Sequence, residues 1–461
     1  MDPAGFDIRT AATYDGADRL RTRTDALGNV LELRYDARGN VEEAVDPQGE
    51  STTFVHDGAG RVIEERDADG ARTLTTYTAS GQVETRELRG AAGELVNRAE
   101  FTYDANGNVL TSTVLRDVGG ALTPETTTYT YDRNNRRTST LDPLGNLTRV
   151  EYDANGRVSA RIDAKGRRTA FTYDDRGLLV RTDRPDGTFV RAEYDAAGNR
   201  TKRIDEPGRE TTFEYDELGR LVKTTFPDGT SEQTVYSPGG RVVAEIDRLG
   251  GRTDHAYDSA GRRVRSTFPE VVDGRSGTPV RPEIVFEYDA SGRRTAVVDS
   301  NGERTEFSYD ARGQLRETRF ADGTTRMASY DALGRMAALV DEEGRTRTFE
   351  HDAAGRLVSV RLPPPTPLDP VPTTTYTYDP SGARLTETDA LGRTTRLGYD
   401  AAGRVASRTL PGGQTESFTY DANGNLQTRT DFNGASTSFE YDAKNRVVRI
   451  SLPDLSEETF T

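Results

Sequence analysis

Tyrosine followed by aspartate recurs along this 461-residue chain at a spacing of 21 residues, and a chain bound to so short a period folds as an array of one repeated supersecondary unit. The marks are Tyr14, Tyr35, Tyr103, Tyr131, Tyr152, Tyr173, Tyr194, Tyr215, Tyr257, Tyr288, Tyr309, Tyr330, Tyr378, Tyr399, Tyr420 and Tyr441, each with Asp next. His56-Asp57, Tyr77-Thr78, Tyr236-Ser237 and His351-Asp352 keep the register and bring the count to twenty. A unit of this size cannot bury its own apolar face and depends on its neighbours.

Inside a unit the apolar period is two. Val158, Ala160 and Ile162 alternate with Arg157, Ser159 and Arg161, and Thr169, Phe171 and Tyr173 alternate with Arg168, Ala170 and Thr172, which predicts two half-buried strands. Between them stands Asp163-Ala164-Lys165-Gly166, and Asp174-Asp175-Arg176-Gly177 follows Tyr173. Aspartate bonds the backbone amides just ahead of it and glycine three later accepts positive φ, the composition of a tight hairpin loop. The same second turn is read at Asp205 and Gly208, Asp247 and Gly250, Asp389 and Gly392, and Asp431 and Gly434. The expected fold is all-β: about twenty antiparallel hairpins over residues 1–461, forming one long sheet.

A second ring two residues before the ruler position, as at Phe171 and Phe213, shares a face with it. A structural ladder is therefore expected through Tyr152, Phe171, Tyr173, Tyr194, Phe213, Tyr215, Tyr309, Tyr399, Tyr420 and Tyr441, with rings of successive repeats in contact. Some forty strands at about 4.8 Å would run on the order of 190 Å, and open sheets rarely pass about ten strands without curling, so the sheet must coil. Only 33% of residues are hydrophobic, which suits a wall one sheet thick with water on its faces.

The turn eleven residues after the ruler mark comes in two classes, one opening with aspartate and one mostly with an apolar residue. From Tyr173 onward they alternate, giving a 42-residue environment. Insertions near 89–98, 116–126, 269–285 and 363–372 all fall in the second class. Aspartate turns are accordingly expected to be confined against an adjacent coil and the others to face open space, with 269–285 and 363–372 as contact loops.

Units such as Tyr152-Asp153-Ala154-Asn155-Gly156-Arg157-Val158 and Tyr420-Asp421-Ala422-Asn423-Gly424-Asn425-Leu426 resemble the YD repeat of Rhs proteins, also found in insecticidal toxin-complex subunits and teneurins. The resemblance implies a spiral β-sheet shell, partial or complete, that encapsulates a toxic polypeptide in bacterial relatives and supports adhesion in teneurins. It implies partners that are polypeptide cargo or other shell segments, and a secreted or cell-surface location. An extracellular module presenting loops to a receptor or carbohydrate is the alternative. Bacterial members close the shell with a Pro-x-x-x-x-Asp-Pro-x-Gly-Leu segment. Asp142-Pro143-Leu144-Gly145 and Asp46-Pro47-Gln48-Gly49 carry only its inner four residues, Arg137 stands where the leading proline belongs, and both tetrads read as plain turns. The array runs to Thr461 within a repeat, so no toxin domain is expected in this chain.

Chemistry is not expected. All three histidines, His56, His255 and His351, fall on ring positions, and carboxylates repeated in every turn are not a poised acid and base. Calcium at aligned turn aspartates would require a glycine-rich nonapeptide that is missing, so no cofactor or metal is expected. With no cysteine, thiolate chemistry and disulfides are excluded. A net charge of −15 disfavours nucleic acid as a partner. No apolar run is long enough for a membrane helix, and Met1-Asp2-Pro3-Ala4-Gly5 lacks the pattern of an export signal.

Overall fold

The computed structural model describes residues 11–25, 28–118, 120–272, 274, 277–366 and 368–460. Met1–Gly5, parts of the three insertions at 119, 273, 275–276 and 367, and Thr461 lie outside the described residues. The described residues form 43 strands, 41 of them in one sheet, and each main strand pairs antiparallel with the next in the chain.

Repeats without an insertion have a four-residue turn at either end of their strands. At the ruler end, Asp153 N donates to Arg157 O at 2.9 Å and Gly156 N to Asp153 O at 3.0 Å; at the second turn the equivalent bonds run Asp163 N to Arg167 O and Gly166 N to Asp163 O. The ends differ in register. Tyr152 opposes Val158 while Glu151 opposes Ala160, so Ser159 is an extra residue, whereas Ile162 opposes Arg168 with no residue to spare. The same shift recurs at ruler hairpins such as Tyr194 and Tyr420. A bulge bends and twists its strand, and repeating it at one end of successive hairpins curves the sheet in one sense.

The curvature closes. Val118, at the end of the strand Val109–Val118, pairs in parallel with Tyr399, at the end of Thr394–Tyr399. That bridge completes a ring of 26 strands, with further strands continuing past it on both sides. At about 4.8 Å per strand the ring has a circumference of roughly 125 Å and a diameter on the order of 40 Å. The wall is a single layer, and the fully buried apolar residues are small: Ala71, Ala160, Ala244 and Ala296 are at most 1% exposed.

Two insertions read as loops are instead extensions of the sheet. Residues 116–126 belong to a long hairpin of Val109–Val118 and Ala121–Tyr131, and 89–98 lengthen the hairpin of Val83–Arg89 and Leu95–Tyr103. Both extensions satisfy their backbone groups by pairing along the ladder rather than by looping out. The 269–285 insertion holds a small separate hairpin, Val271–Val272 with Pro279–Val280.

The fourth turn position is left-handed throughout, and where glycine is missing Asp18, Asn135, Asn445 and Leu455 take φ of 59°, 60°, 62° and 68°. Aspartate and asparagine tolerate this region; leucine does not. Leu455→Gly should therefore raise stability by about 1 kcal/mol, read as an upward shift in thermal or denaturant midpoint.

Candidate functional site

Repeats are joined by three groups that the period brings together. The ruler tyrosine donates its hydroxyl to a backbone carbonyl of the preceding repeat: Tyr152 to Arg137 O at 2.9 Å, Tyr173 to Val158 O at 2.9 Å, Tyr194 to Leu179 O at 2.9 Å and Tyr215 to Arg200 O at 2.9 Å. Tyr309, Tyr399, Tyr420 and Tyr441 do the same to Arg294, Arg384, Val405 and Leu426, at 2.6 to 2.8 Å. The ring is covered by the arginine five residues after the previous ruler mark. Arg136 lies 4.3 Å above Tyr152, Arg157 4.7 Å above Tyr173, Arg293 4.7 Å above Tyr309 and Arg404 4.6 Å above Tyr420.

That arginine also binds the aspartate of its own turn. Arg157 Nε donates to Asp153 Oδ2 at 2.7 Å, and its Nη1 reaches Asp174 O of the next turn at 3.2 Å. Hydrogen bonding from Arg61 holds the Asp57 carboxyl below the usual carboxylate range, and Arg220 does the same to Asp216. Such a contribution is present above the ordinary aspartate pKa and is lost as pH falls through the lowered value. In this ladder arginine lies over tyrosine, with Phe213 likewise under Arg200 at 4.7 Å and Phe171 opposite Thr182. The signal stood in the sequence as Tyr-Asp-x-x-Gly-Arg. Before Tyr194, Tyr215, Tyr399 and Tyr441, Leu178, Asn199, Ala383 and Asn425 replace the arginine, and only the hydroxyl bond is kept.

The second-turn aspartates cap their own loops. Asp163 Oδ1 accepts from Lys165 N and Arg167 N, Asp205 Oδ1 from Arg209 N, Asp247 Oδ1 from Leu249 N and Gly251 N, Asp389 Oδ1 from Leu391 N and Arg393 N, and Asp431 Oδ1 from Asn433 N and Ala435 N. Gly166, Gly208, Gly250, Gly392 and Gly434 have φ of 78°, 83°, 84°, 75° and 82°.

Beyond one turn of the ring, second turns of the first coil meet ruler turns of the second, between residues 238 to 278 positions apart. Gln48 Nε2 donates to Asp310 Oδ2 at 3.2 Å and Arg312 pairs with Asp46. Arg335 Nη2 reaches Asp69 Oδ2 at 3.0 Å. Lys165 Nζ donates to Asp421 Oδ2 at 2.5 Å, Asn423 Nδ2 to Asp163 Oδ2 at 2.7 Å and Arg167 Nη1 to Asp442 O at 2.8 Å. Lys444 closes the run on Asp186, at 2.7 Å, and on Glu206. A groove of about 870 Å³ opens beside this end of the seam, lined by Arg137, Arg161, Arg167, Arg184, Lys444 and Asp163 among others.

The long hairpin is the clasp. Asp117 N donates to Asp379 Oδ2 at 3.0 Å, while Asp379 Oδ1 accepts from Ala383 N and Ser381 Oγ, and Asp379 is 1% exposed. Arg116 lies so close over Gly403 that a Cβ there would sit 2.5 Å from its guanidinium. Both turn classes therefore abut the adjacent coil in the first coil, since the long hairpin through Leu115 and the turn at Arg184 belong to the non-aspartate class. The confinement expected for aspartate turns alone does not hold, because coil and rim, not the opening residue, decide what a turn faces.

The seam contains one acid pair. Asp67 Oδ1 is buried with no donor in the protein, and burial, then the hydrogen bond it shares with Asp69, push its pKa up to about 6. A carboxyl raised in the folded state supports the fold below about pH 4 and loses that contribution as pH rises through 6. Asp67→Asn should therefore stabilise the chain above pH 6 by up to about 1 kcal/mol, screening included, and leave it unchanged at pH 4; melting curves at the two pH values check this.

One trio has the look of a relay: His255 Nδ1 lies 3.1 Å from Ser266 Oγ and Nε2 3.2 Å from Glu245 Oε2. Ser266 is buried and sits mid-strand opposite His255, where the backbone amides are committed to the ladder and supply no oxyanion donors. His255 is thus a hydrogen-bonded cross-strand plug where other repeats place a ring. Among the described residues no group of three or more His, Cys, Asp or Glu is arranged to hold a metal ion, and no helix is long and apolar enough to cross a membrane.

Comparison with known families agrees with this geometry. A model of the RHS repeat matches residues 14–53, 288–325, 330–363, 378–415 and 420–456, and a model of the teneurin YD-shell matches 71–241. Together they span well over half of the chain. The chain is an Rhs/YD-repeat protein. No curated protein matches its sequence. Among solved structures, this YD-repeat chain is similar to the crystal structure of TcdB2-TccC3, with a TM-score of 0.62 and 14% identity over 96% of its length. It is similar also to the Photorhabdus luminescens Tc holotoxin pore carrying a TccC3-D651A mutation, with a TM-score of 0.53 and 15% identity over 96%. It spans 31% and 29% of those chains. At such identity the likeness is one of fold, and the YD repeats here form a structural shell.

Proposed function

We propose that this chain is a non-catalytic wall segment of a secreted Rhs-type toxin or polymorphic protein, and that its wall encloses a polypeptide cargo. The observation that carries the reading is the closed ring of 26 strands, one sheet thick, sealed by the bridge from Val118 to Tyr399. A wall of this kind holds its shape through repeat-to-repeat contacts, which leaves the enclosed space free. One of the structurally similar proteins is a Tc holotoxin pore, which supports toxin components and other shell segments as partners and an extracellular destination.

The test is protease protection of an unstructured polypeptide fused after Thr461. Enclosure should slow its cleavage at least roughly tenfold relative to the free polypeptide, because cleavage then requires opening of the wall. Cleavage at the free rate, together with retention of the chain on immobilised glycans, would instead support a surface-binding module.

A further inference from the structure

Within the closed ring the two faces of the sheet carry charge differently. On the face away from the ruler tyrosines, the nine strands from Arg137–Leu141 to Leu221–Thr225 pair their charges locally: Arg168 with Glu151, Arg181 with Asp183, Lys202 with Glu210 and Lys223 with Glu214. The tyrosine face of the same strands has no acidic side chain. It carries four arginines, placed there by the pairings of Arg137 with Tyr131, Arg161 with Val150, Arg200 with Tyr194 and Arg203 with Ala192. All four are exposed, and among the described residues none has a carboxylate oxygen within 4.0 Å. In a chain of net charge −15 this is a local reversal of sign.

Two of the four have a partner of another kind. Arg137 lies 5.4 Å from the Tyr129 ring and Arg200 4.7 Å from that of Phe213. Arg161 and Arg203 stand at the same place 42 residues apart and cover no ring. Arg161 lines the groove of about 870 Å³ beside the seam, and Arg203 lines a second of about 820 Å³ with Thr211 and Phe213. The acids at the edges of these grooves are engaged already, Asp163 by Arg167 and Asn423 and Asp205 by Arg209. An unpaired guanidinium fork is built to take a carboxylate in two parallel hydrogen bonds.

Spacing selects the partner. At about 4.8 Å between strands and 3.3 Å per residue, Arg137 and Arg161 stand roughly 10 Å apart and Arg161 and Arg203 roughly 23 Å apart. A nucleic-acid strand carries a charge about every 3.4 Å, so most of its phosphates would face an acidic chain without a counter-charge. An extended polypeptide can place single acids this sparsely, since about three residues span the first gap and about seven the second. Between Arg161 and Arg203 the face offers Thr169, Thr182 and Val190, hydroxyls and a small apolar group against which peptide side chains pack.

We propose that the tyrosine face between Arg137 and Arg203 is a docking surface for an acidic polypeptide in extended form, with Arg161 and Arg203 as its carboxylate anchors. The surface is defined by the sheet itself and stands apart from what the wall encloses.

Fluorescence anisotropy with the 461-residue chain tests it. The probe is a labelled peptide of about twelve residues with glutamate at its first, fourth and eleventh positions and serine, threonine and valine elsewhere. Arg161→Glu with Arg203→Glu should weaken binding at least roughly tenfold and leave the melting temperature in place, because both side chains are exposed. Arg191→Glu with Arg396→Glu makes the same change in net charge on the opposite face and should leave binding within about twofold. Glutamine in place of the three glutamates should cost as much as the first pair of changes. No binding of the glutamate peptide at about 1 mM, equal loss in both variants, or tighter binding of an oligonucleotide or sulfated oligosaccharide of the same charge would overturn the proposal.

Discussion

Asp379→Ala should open the ring. The carboxylate is 1% exposed and accepts from Asp117 N of the clasp as well as from Ala383 N and Ser381 Oγ of its own turn. Truncation leaves those donors without an acceptor in a site closed to water, a loss of about 3 kcal/mol. Because Asp117 adjoins the bridge at Val118, the effect should reach the closure itself. Hydrogen exchange should accelerate in Val109–Val118 and Thr394–Tyr399 while distant repeats such as Arg294–Val298 stay protected. Acceleration confined to the turn at residues 379–383, with the two bridge strands unchanged, would show that the clasp does not hold the ring.

The second large effect is expected at a repeat junction. Tyr420→Leu removes the hydroxyl bond to Val405 O at 2.7 Å and the ring under Arg404 at 4.6 Å, for a combined cost of about 2 to 3 kcal/mol. Arg404→Ala should cost less, about 1 to 2 kcal/mol, because the Tyr420 hydroxyl bond survives. The double variant should show a coupling of about 0.5 to 1 kcal/mol if arginine and ring act as one unit. Since Asp421 and Asn423 contact Lys165 and Asp163 across the seam, the damage should also appear as faster exchange near Asp163 in the first coil. Additive effects confined to Val405–Thr430 would separate the ladder from the seam.

What the sequence made legible was what lies within a few residues of a named side chain. Asp163 with Gly166 specifies a turn, and the alternation from Val158 to Ile162 specifies a strand, because both are local demands on backbone and burial. The arginine at Arg157 or Arg404 was equally regular, yet a ring-to-ring ladder was expected, because aromatic residues two apart on a strand suggest stacking before a cation does. Closure was beyond the sequence. It depends on a small bend at each bulge, summed over 26 strands, and is sealed by one residue pair, Val118 and Tyr399, with nothing in either residue to announce the other. The split of turns into an aspartate class and an apolar class was read as a split of environments. Lys444 on Asp186 shows why that failed: the turn at Arg184 meets the next coil because of where it falls around the ring.

The central claim is that the linear tyrosine-aspartate ruler closes on itself. End-on class averages of the single chain by electron microscopy test it most directly. The account predicts a continuous ring roughly 40 Å across, with the second coil superposed on part of the first. An open arc or an extended ribbon, with residues 118 and 399 on unconnected edges, would contradict it.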